Sequence, residues 1–399
     1  MNINELYSII RKGRDKKVDS PTFKELEITE EKVYAIDSWA RDLVYGSKAA
    51  YIPELASEDI DIEKTGIAIA DLGGNKIIVG NGKEVIGSIQ SVIKPFLYLY
   101  ALSKGVSPHE ISGVEANALP FNADQILQPE LRLETAQHPL NNAGAVSSAG
   151  VIGESFSQFL DFMCKITRNP DLKVIDGVFN SEMATNSNNK AIAYRLVAAG
   201  RFKTQFSADK ALENYTRACS IGVSVRDLLF ASLVLASGGF DYEMSKRIVS
   251  EDACVRVMNA MNSFGMYEET GRVALLVAGA RANTCKSGVG GFIININPDV
   301  GAFSTYNPLL NAAGNSVYGL NAMIPLNELS ASPGKVRLSF DEIEATRKKF
   351  EENDLPKTYE EIMSLISNGF PSSAYKAKPF MTEKIKDLHI QKGKILDKL

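Results

Sequence analysis

The sequence predicts an α+β domain built on an antiparallel sheet, and three observations predict it. Two β-hairpin signals lie far apart, a long block of helical patterns separates them, and strand signals resume only after that block. The first hairpin signal is Ile67-Ala-Ile-Ala, a turn at Gly73-Gly74-Asn75, and then Ile77-Ile-Val. Helical periodicity follows over 92–103, 151–166, 189–199, 225–236 and 244–261. The second hairpin signal is Gly291-Phe-Ile-Ile-Asn-Ile-Asn, a turn at Pro298-Asp299, and Val300-Gly-Ala-Phe-Ser. Halves of one sheet drawn from both ends of the domain, flanked by helices and interrupted by a helical subdomain, accommodate all three.

Charge patterning sets the organisation of the 399 residues. Residues 1–35 carry 14 charged side chains and read as a helical arm. Residues 36–330 read as the folded domain. Residues 331–399 carry 13 basic and 11 acidic side chains and read as a helical appendix, with helix starts at Ser339 and Thr358 and a break before Pro371. No repeat of solenoid period is present. A formal net charge of −4 argues against nucleic acid or an anionic membrane as the main partner. The apolar run 228–240 is too short to span a bilayer, and the first residues lack a secretory core, so a cytoplasmic protein is expected.

The four cysteines form no C-x-x-C pair and there are only three histidines. A zinc site or a Ser-His-Asp triad therefore has little to draw on. Chemistry must run on hydroxyls, amines and carboxylates. The sharpest local feature is Gln90-Ser91-Val-Ile-Lys94-Pro95 before an apolar helix. Pro95 belongs in a helix's first turn, which puts Ser91 at the N-terminus and Lys94 one turn on, hydroxyl and amine on one face. An amine beside a serine is an activating arrangement that needs no histidine, provided burial keeps the amine neutral. Read alone, the tetrapeptide is more often a capping serine with a surface lysine.

Lys286-Ser287-Gly288-Val289-Gly290-Gly291 precedes the second hairpin's first strand. Its glycines allow close backbone approach, and a backbone N–H there, with that of Ser91, makes a candidate oxyanion hole. S-x-x-K followed by K-[ST]-G is the combination of penicillin-recognising serine hydrolases, and Ser187-Asn188-Asn189 superficially completes it. Segments around Asn142, Glu182, Asn189 and Tyr215 add amides, a carboxylate and a phenol. That set suits a small zwitterion, with Glu182 pairing an ammonium. The bland alternatives are a helix-capping Glu182 and a core Tyr215.

Taken in order, eight motifs make the chain resemble the glutaminase family over about residues 40–325. They are Ala50-Tyr51-Ile-Pro-Glu-Leu, Gln90-Ser91-Val-Ile-Lys94-Pro, Asn142-Ala-Gly-Ala, Ser181-Glu182 with Asn189, Tyr215 with Cys219-Ser220, Gly265-Met-Tyr267, Lys286-Ser-Gly-Val289-Gly-Gly, and Gly314-Asn-Ser-Val-x-Gly319. The resemblance implies a β-lactamase or penicillin-binding-protein-like fold and hydrolysis of L-glutamine to L-glutamate and ammonia. It also implies roles. Ser91 would be the nucleophile, Lys94 its base and Tyr267 a proton-shuttling phenol, with Ser91 and Val289 N–H groups on the oxyanion. Tyr51, Asn142, Glu182, Asn189 and Tyr215 would bind the amino acid. No cofactor would be needed, and a homodimer or homotetramer is implied. The alternatives are a penicillin-recognising serine hydrolase and a weakly active, amino-acid-binding relative. Extra residues around 278–282 lengthen the stretch between Tyr267 and Lys286 relative to the resemblance.

Overall fold

The computed structural model describes residues 20–50, 52–112, 136–241, 244–276 and 284–330. The 331–399 appendix, most of the 1–35 arm, Tyr51 and the 278–282 stretch lie outside them. Five strands form one antiparallel sheet: β1 (Gly66–Asp71), β2 (Lys76–Val79), β3 (Thr284–Ser287), β4 (Phe292–Asn297) and β5 (Gly301–Tyr306). Their order is β2-β1-β5-β4-β3. The two hairpins anticipated from the sequence therefore join through β1 and β5, with Gly66 opposite Tyr306 and Asp71 opposite Gly301.

Successive strand residues face opposite sides of a sheet, and here both sides are covered. Ile67, Ile69, Ile293 and Phe303 enter one apolar cluster, whereas Ala68, Ala70, Ile294 and Ala302 enter another. This is why Ile-Ala-Ile-Ala shows no polar alternation: β1 is buried at every position.

Ten helices of eight or more residues lie among the described residues. They are α1 (Glu30–Arg41), α2 (Lys94–Ser103), α3 (Asn142–Ala149), α4 (Phe156–Thr167), α5 (Asp176–Ala184), α6 (Ser187–Ala198), α7 (Gln205–Cys219), α8 (Val225–Ala236), α9 (Glu251–Phe264) and α10 (Val317–Leu329). Helices α1 and α10 cover one face of the sheet and α8 the other. Helix α2 packs on α3 and α9, and its residues Lys94 to Ala101 are all buried. A helix without a polar face belongs in the middle of a core.

Position 35/36, the expected edge of the arm, falls inside α1. That helix is tied to the body by buried Asp37, which accepts from Tyr318 Oη at 2.6 Å, Thr65 Oγ1 at 2.8 Å, and Arg41. Two helices expected from periodicity are shorter than read. The 151–166 pattern breaks at Gly153, whose φ is +66°, so α4 begins only at Phe156. The 244–261 pattern is cut by a short ladder of Phe240–Asp241 with Lys246–Arg247, and α9 starts where Ser250 caps it by accepting from Ala253 N. Strand β3 was not expected, since the sequence places Lys286 and Ser287 in the segment preceding the second hairpin's first strand. Among the described residues no helix is long and apolar enough to cross a membrane.

Candidate active site

Ser91 lies on a 3₁₀ turn, Gln90–Ile93, that runs directly into α2. The preceding strand Gly87–Ser88 pairs with Gly222–Val223, and Ile89 N donates to Ile221 O at 2.9 Å, so the approach to the turn is fixed. Gln90 holds a left-handed φ of +49°, a backbone state that non-glycine residues reach at a cost and that gathers at functional sites. Its amide donates to Ser88 Oγ at 2.9 Å and to the Glu182 carboxylate. Ser91 is nearly buried, 7% exposed.

Lys94 opens α2 and is fully enclosed. Its amine donates to Asn142 Oδ1 at 2.6 Å, rather than lying directly on the Ser91 hydroxyl as the one-turn spacing suggested. Tyr215 Oη also donates to Asn142 Oδ1, at 3.3 Å, and Asn142 Nδ2 donates to Asn189 Oδ1 at 2.9 Å. Two donors on the oxygen and one acceptor for the nitrogen leave the Asn142 amide a single consistent orientation. Burial lowers the Lys94 amine from 10.5 to about 8, with Cys219 opposing. At pH 7 about one molecule in ten then carries a neutral amine, against about one in 2,500 for a solvated lysine.

Tyr267 approaches from the turn after α9, also with a left-handed φ, +56°. Burial pushes its phenol up, and the nearby Ser91 hydroxyl pulls it back part of the way. The fully buried Lys286 amine stands 4.4 Å from the centroid of the Tyr267 ring and donates to Ser287 O at 2.5 Å and Gly265 O at 3.2 Å. Burial first, and the Lys94 charge second, push Lys286 well below its usual value. His138 is neutral for the same reasons. Burial and the charges of Lys94 and Lys286 bring it down to about 3, and its ring stacks on Phe264 at 4.0 Å.

The turn after β3 lies against the backbone that carries Ser91. A methyl group on Gly290 would sit 2.1 Å from Ser88 O, and one on Gly288 would sit 3.0 Å from Val92 N and Ile89 O. Only glycine permits that approach. Val289 between them packs in an apolar cluster with Ile52, Leu55, Val178 and Leu310. Glu182, on α5, is half-buried, and burial raises its carboxyl to about 7; Gln90 opposes the rise and the Glu54 charge adds to it. Glu54 Oε2 is itself buried, with no hydrogen-bond partner among the described residues.

Four of the residues picked from the sequence are thus joined in one hydrogen-bonded chain, Lys94, Asn142, Asn189 and Tyr215, and the Ser91 hydroxyl lies close enough to the Tyr267 phenol to influence its ionisation. Glu182 reaches Ser91 through the neighbouring Gln90, and Val289 faces the Ser91 turn through its flanking glycines. Tyr51 lies outside the described residues, although Ile52 beside it joins the Val289 cluster. Sequence reasoning gave no role to Gln90, Glu54, Glu269, Asn311 or Asn315. Gln90, Glu54 and Asn315 sat inside quoted motifs; Glu269 and Asn311 had no local signal. Among the described residues no three His, Cys, Asp or Glu side chains gather as a metal's ligands would.

The family model described as Glutaminase matches residues 46–332. A glutaminase of Colwellia psychrerythraea is 34% identical over 286 residues, covering 70% of this chain and 88% of its own. A glutaminase of Clostridium tetani is 31% identical over 293 residues, covering 71% and 92%. A crystal structure of Mglu in its glutamate form superposes with a TM-score of 0.68 at 27% identity, covering 78% of this chain and 71% of that one. The antiparallel sheet flanked by helices is the β-lactamase-like α+β fold. On sequence, on fold and on the order of its motifs, the chain belongs to the glutaminase family.

Proposed function

We propose that the protein is a glutamine amidohydrolase working through a γ-glutamyl ester on Ser91. The observation that carries this reading is the enclosed Lys94 amine, lowered to about 8, one helical turn from a serine hydroxyl that meets a buried phenol. The neutral amine accepts the Ser91 proton, directly or through the phenol, as Oγ bonds to the side-chain amide carbon. The carbonyl oxygen takes the charge and is held by the N–H groups of Ser91 and Val289. Collapse breaks the C–N bond, and the proton passes to the departing nitrogen, which leaves as ammonia. Water then adds to the ester carbon, loses a proton to the Lys94–Tyr267 pair and releases glutamate, with the proton returned to Ser91.

The polar ends of glutamine fall to the rest of the constellation. Glu182 pairs with the α-ammonium when ionised, and Tyr51, Asn142, Asn189 and Tyr215 hydrogen-bond the substrate. The structure of Mglu in its glutamate form supports the product's fit to this type of site. The reading calls for no metal or organic cofactor, and it includes a cytoplasmic enzyme assembled as a homodimer or homotetramer. Coupled detection of glutamate tests it. Wild type is expected to release glutamate from glutamine and not aspartate from asparagine, and Ser91→Ala to release neither.

A further inference from the structure

The left-handed Tyr267 turn is held on its far side by one acid. Glu269 is 8% exposed. Its Oε2 accepts from Asn311 Nδ2 at 2.8 Å and from Asn315 Nδ2 at 2.7 Å, while Oε1 pairs with Arg272 at 2.6 Å. Asn315 Nδ2 also reaches Met266 O at 3.3 Å. Thr270 Oγ1 closes the turn from within, donating to Tyr267 O at 2.7 Å and accepting from Met266 N at 3.0 Å. Each of these ties runs to the turn's backbone or to Glu269.

The partner turn is not passive. Asn307 N donates to Gly291 O at 3.0 Å, and Leu310 shares the apolar cluster of Val289. Residues 307–316 therefore brace both the Val289 turn and, through Asn311 and Asn315, the Tyr267 turn. We propose that Glu269 is a positioning residue: its carboxylate locks the Tyr267 turn to the 307–316 turn and thereby sets the phenol against Ser91 and Val289. The inference rests on the reading of Tyr267 as the proton-shuttling group. Glu269 touches neither substrate nor reacting atoms in that scheme, and it acts through the backbone alone.

A double-mutant cycle on the full chain tests it, with kcat, KM and melting temperature measured for wild type, Glu269→Gln, Tyr267→Phe and the double variant. The Gln side chain keeps the shape but sets an amide N–H₂ against donors on one side. Misplacement of a catalytic group by a fraction of an ångström costs about tenfold or more in rate, so kcat should fall about tenfold with KM within about twofold. In the Tyr267→Phe background the same change should alter kcat less than about twofold, because there is no phenol left to misplace. Equal losses in both backgrounds, or a loss confined to KM, would overturn the proposal. Full activity in Tyr267→Phe would overturn the reading beneath it, a different and separately visible result. If Glu269→Gln does not fold, Asn311→Ala removes one of the three ties and is expected to give the same non-additive pattern; additivity there counts equally against it.

Discussion

Lys94 concentrates the energetic conflict of the site in one residue. An amine that titrates near 8 rather than 10.5 costs the folded state about 3 kcal/mol at neutral pH. The sign follows from proton counts: between about 8 and 10.5 the unfolded chain holds the proton and the folded one does not. The penalty is full below 8 and disappears as pH rises through that window. Lys94→Met should therefore lose activity by about three orders of magnitude yet melt at or above wild type at pH 7, and the gap should close by pH 10.5. Denaturation of both proteins across pH checks it; a variant that melts well below wild type at pH 7 speaks against the buried-charge account. Activity has its own pH signature. In the proposed mechanism the base works when neutral, above about 8, and Glu182 pairs the ammonium when ionised, above about 7, so kcat/KM should fall on both steps as pH drops. Glu54→Gln removes the charge that helps raise Glu182, and the lower step alone should move to more acid pH. If the upper step moves instead, the two groups have been assigned to the wrong limbs.

At the level of elements, the two glycines of the Val289 turn decide whether a strand edge meets a helix mouth. Gly290→Ala forces a methyl group to 2.1 Å from Ser88 O, a backbone atom that has no rotamer to yield. Overpacking of this kind costs about 1–3 kcal/mol. The expected result is a lower melting temperature together with a loss of kcat beyond what Gly271→Ala shows, since an added methyl there meets nothing within 4 Å. Equal behaviour of the two variants would remove the close approach from the account. Elements were legible wherever period and punctuation agreed. The β1–β2 and β4–β5 hairpins carried β-branched runs with turn residues between them, and α8 carried a Ser224–Asp227 capping box before an apolar stretch. Strand β3 was hidden because its four residues, Thr-Cys-Lys-Ser, are buried polar and small ones whose partners lie across the sheet on β4. Helix α7 was missed although Thr204 and Ser207 cap it reciprocally, a signal present in the sequence.

Across the whole molecule, the sheet is the device that gathers the site. Pairing β1 with β5 brings the two ends of the domain together, and in the helical block between them α2, α3, α6 and α7 pack on one another, with α2 and α7 against the Ser91 turn. Short motifs singled out Ser91, Lys94, Asn142, Glu182, Asn189, Tyr215, Tyr267 and Val289, because each brings a polar side chain or, at Val289, a backbone N–H into an ordered pattern; their roles are those of the proposed mechanism. Glu54, Glu269 and Asn311 stayed illegible because their meaning lies only in what folding sets beside them: Glu182, Asn315 and the Tyr267 turn. The central claim is that all of this serves one covalent intermediate. Acid quenching during glutamine turnover, followed by mass spectrometry of the peptide bearing Ser91, tests it most directly. The account predicts a γ-glutamyl group on that serine in the wild type, and neither adduct nor ammonia in Ser91→Ala. Undiminished ammonia release by Ser91→Ala would contradict it.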